Sequence, residues 1–315
     1  MKRNLDNAKM AKMDEFYTQY GDIEKELVHY GGCFKDKVVL CNCDDPRTSN
    51  FFRYFSLNFH RLGLRKLIAS CYKNQEFDLF MLEKERATWI EYGGELKDGC
   101  VPEPDEIGIH CFEGDGDFRG LECIELLKQA DIVCTNPPFS LFREFVAQMI
   151  KYEKGFLIVG SQNAITYKEM FSLIKENRLW LGCTGGSMEF KVPSDYPEME
   201  TRYWVDETGQ KWRSMGNTYW FTNLVHDRRN EDLPLAAEFD KSKYPRYDNC
   251  DAIDVGEVGL IPKDYYGLMG VPITFLHKYN PKQFEIVRFR KGDDGRDLSI
   301  GGKCPYFRIL IKKKC

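Results

Sequence analysis

The chain has 315 residues, 43% of them hydrophobic and 14% aromatic, and carries a net charge of −4. That much apolar material builds a core for one large domain or two smaller ones and excludes a fibrous or disordered chain. No apolar run approaches the roughly 20 residues of a membrane helix, and Met1–Tyr20 is polar and mixed in charge, unlike a signal peptide, so a cytoplasmic protein is expected.

In chain order, the hydrophobic pattern predicts a strand at Lys37–Asn42, a helix at Ser49–Leu62, strands at Lys66–Tyr72 and Ile109–Glu113, and a helix at Gly120–Gln129. A strand at Asp131–Thr135, a helix at Ser140–Lys151, a strand at Gly155–Gly160 and a helix at Thr166–Asn177 follow. The strand segments are short, apolar and rich in β-branched residues, which suits strands buried on both faces. Strand alternating with helix predicts an α/β fold with a doubly wound parallel sheet, whose ligands lie beyond the carboxyl ends of the strands. The regularity breaks from Met188 to Gly216, where Pro193, Pro197, Trp204, Trp212 and many charges point to a long connection, and Tyr219–Leu224 resumes as a strand. After His226 the chain is rich in Pro, Tyr, Asp and Gly, which predicts a smaller appended domain of irregular or β structure.

Several of the twelve cysteines, among them Cys41, Cys71, Cys111, Cys134 and Cys183, fall inside apolar stretches and read as reduced, buried thiols. Cys41 and Cys43 form a C-x-C with no second ligand pair, so no metal site is expected. The charge is unevenly spread: from Lys278 onward, eleven basic residues face four acids. A solvated tail and a phosphate-contacting surface both fit that excess.

The residues with most chemistry in them are Asn136-Pro137-Pro138-Phe139, directly after the predicted strand Asp131–Thr135. Two prolines fix the backbone and remove two amide donors, leaving a stiff loop with available carbonyls. An exocyclic adenine amine is a poor nucleophile because its lone pair is delocalised into the ring. If the Asn136 side-chain oxygen and the Pro137 carbonyl accept its two hydrogens, the lone pair can be directed at an electrophilic methyl group. Phe139 can stack on a base that has left the helix. The plainer reading is a turn followed by a core phenylalanine.

The tetrapeptide resembles motif IV of the amino methyltransferases. Further stretches narrow the resemblance: Asp14–Gln19, Leu40–Pro46, Gly116-Asp117-Phe118, Asp131–Phe145, Asn163–Tyr167 and Met269–Leu276 look like the EcoRI-type adenine-specific DNA methyltransferase family. The resemblance implies a class I (Rossmann-like) methyltransferase sheet over residues 1–224 and a C-terminal target-recognition region over 225–315. It implies S-adenosylmethionine as cofactor and methylation of adenine N6 at a specific site in double-stranded DNA. Asn42, Asp44 and Asp45 are implied at the cofactor's methionine end, Tyr17 and Thr18 over its carboxylate, and Asp117 and Phe118 at its adenine. Turn and helix-start chemistry would explain Asp45 and Asp117 equally well.

Two features depart from the general methyltransferase pattern. No Gly-x-Gly-x-x-Gly follows the first strand, and no acid for the ribose follows the second, at Ser70–Lys73. In the C-terminal region Tyr244, Arg246, Tyr247, Arg288, Arg290, Lys291 and Arg296 are candidates for phosphate and base contacts. A monomer is expected, since one methyl group is placed per event, and a cognate restriction endonuclease acting on the same site is a further candidate partner. The competing readings are an enzyme of the same fold acting on cytosine N4, an RNA adenine or a protein glutamine, and a catalytically silent DNA-binding relative.

Overall fold

All five residues of Val38–Asn42 are buried, as a strand covered on both faces requires. The computed structural model describes residues 16–43, 45–72, 86–290, 297–304 and 307–314. Their first elements are β1 (Tyr17–Thr18), α1 (Tyr20–Leu27), β2 (Val38–Asn42), α2 (Asn50–Leu57), α3 (Phe59–Leu62), β3 (Lys66–Ser70), β4 (Thr88–Tyr92), α4 (Pro104–Ile107) and β5 (Ile109–Cys111). Then come α5 (Leu121–Gln129), β6 (Ile132–Thr135), α6 (Phe142–Lys151), β7 (Gly155–Ser161), α7 (Lys168–Lys175), β8 (Trp180–Lys191), β9 (Tyr203–Val205) and β10 (Lys211–Thr222). The strands form one sheet in the order β1-β8-β10-β7-β6-β2-β3-β4-β5, with β9 on β10.

Its centre is parallel: β3, β2, β6 and β7 run side by side in one direction. This is the predicted Rossmann-like core. The flanks differ from an all-parallel sheet, since β10 is antiparallel to β7 and β4 is antiparallel to both β3 and β5. Two reversals return β5 to the direction of β3, so its carboxyl end lies on the same edge as those of β2 and β6.

Three expectations are corrected. The sheet is not parallel throughout, because a strand the pattern did not predict, β4, is inserted antiparallel between β3 and β5. The helix expected over Ser49–Leu62 breaks at Asn58, whose side chain bonds the Tyr54 carbonyl at 2.8 Å and competes with continuation. Met188–Gly216 is not simply a long connection: it holds the end of the twelve-residue β8, all of the short β9 and the first half of the twelve-residue β10. Glycines hid β8 from the pattern, and Gly185 is required there because a Cβ would meet the Tyr219 ring at 2.1 Å.

The described residues divide into two compact units, one within 1–164 and 184–224, the other within 165–183 and 225–315. The second holds β11 (Ala252–Asp254), β12 (Leu268–Pro272), β13 (Phe284–Arg290) and β14 (Arg308–Lys313) in the order β11-β12-β14-β13. These four strands all follow residue 250, and the unit also takes in 165–183, which contains α7. Val271, Phe275, Phe284, Ile286, Ile309 and Ile311 form its core. Within it Arg308 Nε donates to Asp254 Oδ1 at 2.7 Å, with the two side chains 11% and 13% exposed, and the Tyr247 hydroxyl donates to the same carboxylate. No disulfide joins the described cysteines, and none of the described helices is long and apolar enough to cross a membrane.

Candidate active site

β2 and β6 are parallel neighbours, so Asn42, the last residue of β2, and Asn136, the first after β6, lie at the same edge. The Thr135 hydroxyl donates to the Asn42 carbonyl and ties the two strand ends together. Phe16–Thr18 is bound to this edge at two points. Asn136 Nδ2 donates to the Phe16 carbonyl at 2.6 Å, and Asn50 Nδ2 donates to the Thr18 carbonyl at 2.8 Å. Asn50 opens α2, whose start is fixed by the Ser49 hydroxyl accepting from the Phe52 amide at 3.3 Å.

A backbone carbonyl can only accept, so the nitrogen of Asn136 must face Phe16 and its Oδ1 must point away. Among the described residues Asn136 Oδ1 is buried with no hydrogen-bond partner, and the same holds for Asn42 Oδ1 and Thr18 Oγ1. Leaving a buried polar atom unsatisfied costs about 1–3 kcal/mol. All three atoms are on residues singled out by the sequence, and Asn42 and Asn136 stand at the carboxyl edge of the parallel strands.

The Asn136–Phe139 loop has the stiffness its prolines predict. Pro137 is buried, and Pro138 (φ −53°, ψ 127°) leads into a short 3₁₀ turn at Phe139–Leu141, where the Leu141 amide bonds the Pro138 carbonyl at 3.0 Å. Phe139 is half-buried, its ring 5.5 Å from that of Phe16, which lies 5.5 Å from Phe190 and 6.2 Å from Tyr196. An aromatic wall therefore flanks the polar groups.

The Asp117 loop follows β5. Gly116 (φ 74°) sits so close to the chain leaving β3 that a Cβ would be 2.3 Å from the Cys71 carbonyl oxygen, so only glycine fits. Both Asp117 oxygens are engaged by Arg119, from Nε at 2.9 Å and Nη2 at 2.7 Å, and the Arg119 amide adds a bond of 2.8 Å. Burial alone would raise the Asp117 carboxyl, but these bonds and the guanidinium charge hold it below the ordinary value. The same guanidinium lies 5.4 Å above the Phe118 ring and reaches Glu144 at 2.9 Å. Phe118 is buried, packed against Phe145 at 5.1 Å.

The other candidates fall out as follows. Tyr17 is half-buried and paired with Lys191 through β1 and β8. Asp45 accepts from the Arg47 amide at 3.0 Å, the turn chemistry that competed with its cofactor role. Asp44 lies outside the described residues. Tyr244 and Tyr247 are buried and bonded to the Leu260 carbonyl and to Asp254, so they are structural and not base-contacting. Arg246 pairs with Asp251 at 2.7 Å. Arg288 is exposed on β13, whereas Lys291, Arg296 and the side chain of Arg290 lie outside the described residues. The pattern missed the Phe16 carbonyl, Asn50, Arg119 and Glu144. A charged residue directly after Asp117-Phe118 was the one available signal.

An open sheet with a parallel centre, polar groups gathered at its carboxyl edge and a proline-locked asparagine beside an aromatic wall define a class I, Rossmann-like methyltransferase. Residues 4–314 match the family described as adenine-specific methyltransferase EcoRI. The chain is 55% identical to the Type II methyltransferase M.EcoRI of Escherichia coli, over 98% of this chain and 96% of that protein. It is 36% identical to the Type II methyltransferase M.MgeORF184P of Mycoplasma genitalium, over 99% of each chain, and 37% identical to M.MpnI of Mycoplasma pneumoniae, over 98% of each. The chain belongs to the EcoRI family of adenine-specific methyltransferases, as its motifs suggest.

Proposed function

We propose that this enzyme methylates N6 of an adenine extruded from duplex DNA at one specific sequence, using S-adenosylmethionine. The observation that carries this reading is the orientation of Asn136: its nitrogen is fixed on the Phe16 carbonyl and its oxygen is buried without a partner among the described residues. That oxygen and the Pro137 carbonyl are two acceptors, which match the two hydrogens of an exocyclic amine. Accepting both holds the amine in place and turns its lone pair out of the purine ring system. The wall of Phe139 and Phe16 stacks on the flipped base, offsetting part of the unstacking energy.

Asn42 Oδ1 and Thr18 Oγ1 fit the methionine end of the cofactor, the first accepting from its ammonium and the second donating to its carboxylate. Asp44 and Asp45 add negative charge beside the ammonium. When bound, the cofactor supplies an electrophilic methyl group on a sulfonium. Asp117 and Phe118 take its adenine, the carboxylate accepting from the amino group, once Arg119 has turned from Asp117 toward Glu144, its other partner. Arg119→Ala is therefore expected to tighten cofactor binding several-fold in calorimetric titration, because a competing donor is removed. Weaker binding would make Arg119 part of the binding surface instead.

Residues 1–224 carry methyl transfer and 225–315 recognise the target, with Arg288 and the basic C-terminal residues meeting DNA. The enzyme acts as a monomer in the cytoplasm and protects the sequence that a cognate restriction endonuclease would cut. Incubation with labelled cofactor and duplex DNA, RNA or protein tests the reading. Label is expected on adenine N6 of DNA within a single sequence, and label on RNA or on a glutamine amide would overturn it.

A further inference from the structure

Arg229 is only 6% exposed, yet no carboxylate among the described residues pairs with it. Its partners are neutral: Nη1 donates to the Tyr279 carbonyl at 2.8 Å, Nη2 donates to Asn177 Oδ1, and the guanidinium lies 4.7 Å from the Trp180 ring and 5.4 Å from the Tyr279 ring. A guanidinium stays charged even when buried, and an uncompensated buried charge is costly.

Two of those partners, Asn177 and Tyr279, line a cleft of about 510 Å³ in the second compact unit. Lys175, Lys282 and Lys314 also line it, with Glu285 as the acid on its wall, set opposite Lys312 in the β13–β14 register. Burial raises the Tyr279 hydroxyl above its ordinary value, Arg229 acting in the other direction, so the group remains a protonated donor. The cleft thus combines three lysines, one of them with its ammonium on the Pro281 carbonyl at 2.7 Å, with Asn177 and Tyr279, the two residues that bond the buried Arg229 guanidinium.

We propose that this cleft binds a phosphate group of the DNA backbone, whose negative charge complements Arg229. The inference rests on the reading that duplex DNA is the substrate, and it adds a phosphate-binding site on α7, β13 and the chain following β14. Such a contact positions the duplex without reading its sequence.

The test is the salt dependence of DNA affinity for the full chain, measured once the labelled-cofactor assay has shown that wild type methylates DNA. Replacing Lys175, Lys282 and Lys314 by alanine is expected to weaken binding at least tenfold and to flatten the slope of log affinity against log salt by about one in total, the value for one phosphate contact. Arg229→Gln should weaken binding in the same way, and Lys241→Ala, an exposed residue not on the cleft, should leave the slope as it is. A triple-lysine variant that remains folded by circular dichroism and keeps the wild-type slope overturns the proposal while leaving the methylation reading intact. Titration with inorganic phosphate alone separates the sources of the anion: tight binding of free phosphate together with an unchanged DNA slope also overturns the DNA assignment.

Discussion

Asn136→Ala is expected to lower the rate of methyl transfer about a thousandfold while leaving the fold and DNA binding in place, the scale seen when one positioned polar group is removed from a reacting centre. The side chain does two separable things. Its nitrogen holds the Phe16 carbonyl at 2.6 Å, and its oxygen is a buried acceptor with no donor among the described residues. Losing the first costs about 1 kcal/mol of local stability, a modest amount. Losing the second removes half of the acceptor pair that restrains the amine, so the lone pair returns to conjugation with the ring. Asn136→Asp keeps an oxygen but places a carboxylate against the Phe16 carbonyl, so it should also be slow. Single-turnover methylation beside thermal unfolding separates these effects, and an Asn136→Ala enzyme at the wild-type rate would reject the mechanism.

Asp254→Ala is expected to destabilise the second compact unit by about 3–5 kcal/mol, the usual penalty for breaking a buried pair by removing one partner. Arg308 would be left 11% exposed without the carboxylate that its Nε reaches at 2.7 Å, and Tyr247 would lose the acceptor for its buried hydroxyl. The loss comes chiefly from stranding a buried cation. Replacing Asp254 and Arg308 together by leucine and methionine should therefore recover much of the stability. Denaturant unfolding measures both effects, and a loss under about 1 kcal/mol in the single variant would show that solvent reaches the pair.

The parallel centre of the sheet was legible because its strands are buried on both faces, as the apolar runs at Lys37–Asn42 and Asp131–Thr135 require. The flanking strands were not. β8 carries Gly182, Gly185 and Gly186, and its partly exposed residues give no clean alternation. The division at Asn58 depends on one side chain bonding back to Tyr54, which a hydrophobic pattern does not register. At the site, Asn136–Phe139 could be read because two prolines between an amide and an aromatic have a direct chemical meaning. What sequence did not show was long-range. The Phe16 carbonyl orients an asparagine 120 positions away, and Arg119 occupies the Asp117 carboxylate. Tyr244 and Tyr247 looked like recognition residues from composition, and only burial reveals them as core.

The central claim is that the Asn136 oxygen and the Pro137 carbonyl together receive the hydrogens of an extruded adenine. A crystal structure of the enzyme with S-adenosylhomocysteine and duplex DNA containing its methylation site measures this directly. The account predicts adenine N6 within about 2.7–3.2 Å of both oxygens, with Asn136 Nδ2 still on the Phe16 carbonyl. An adenine left stacked in the helix, or an Asn136 oxygen turned back into the protein, would contradict it.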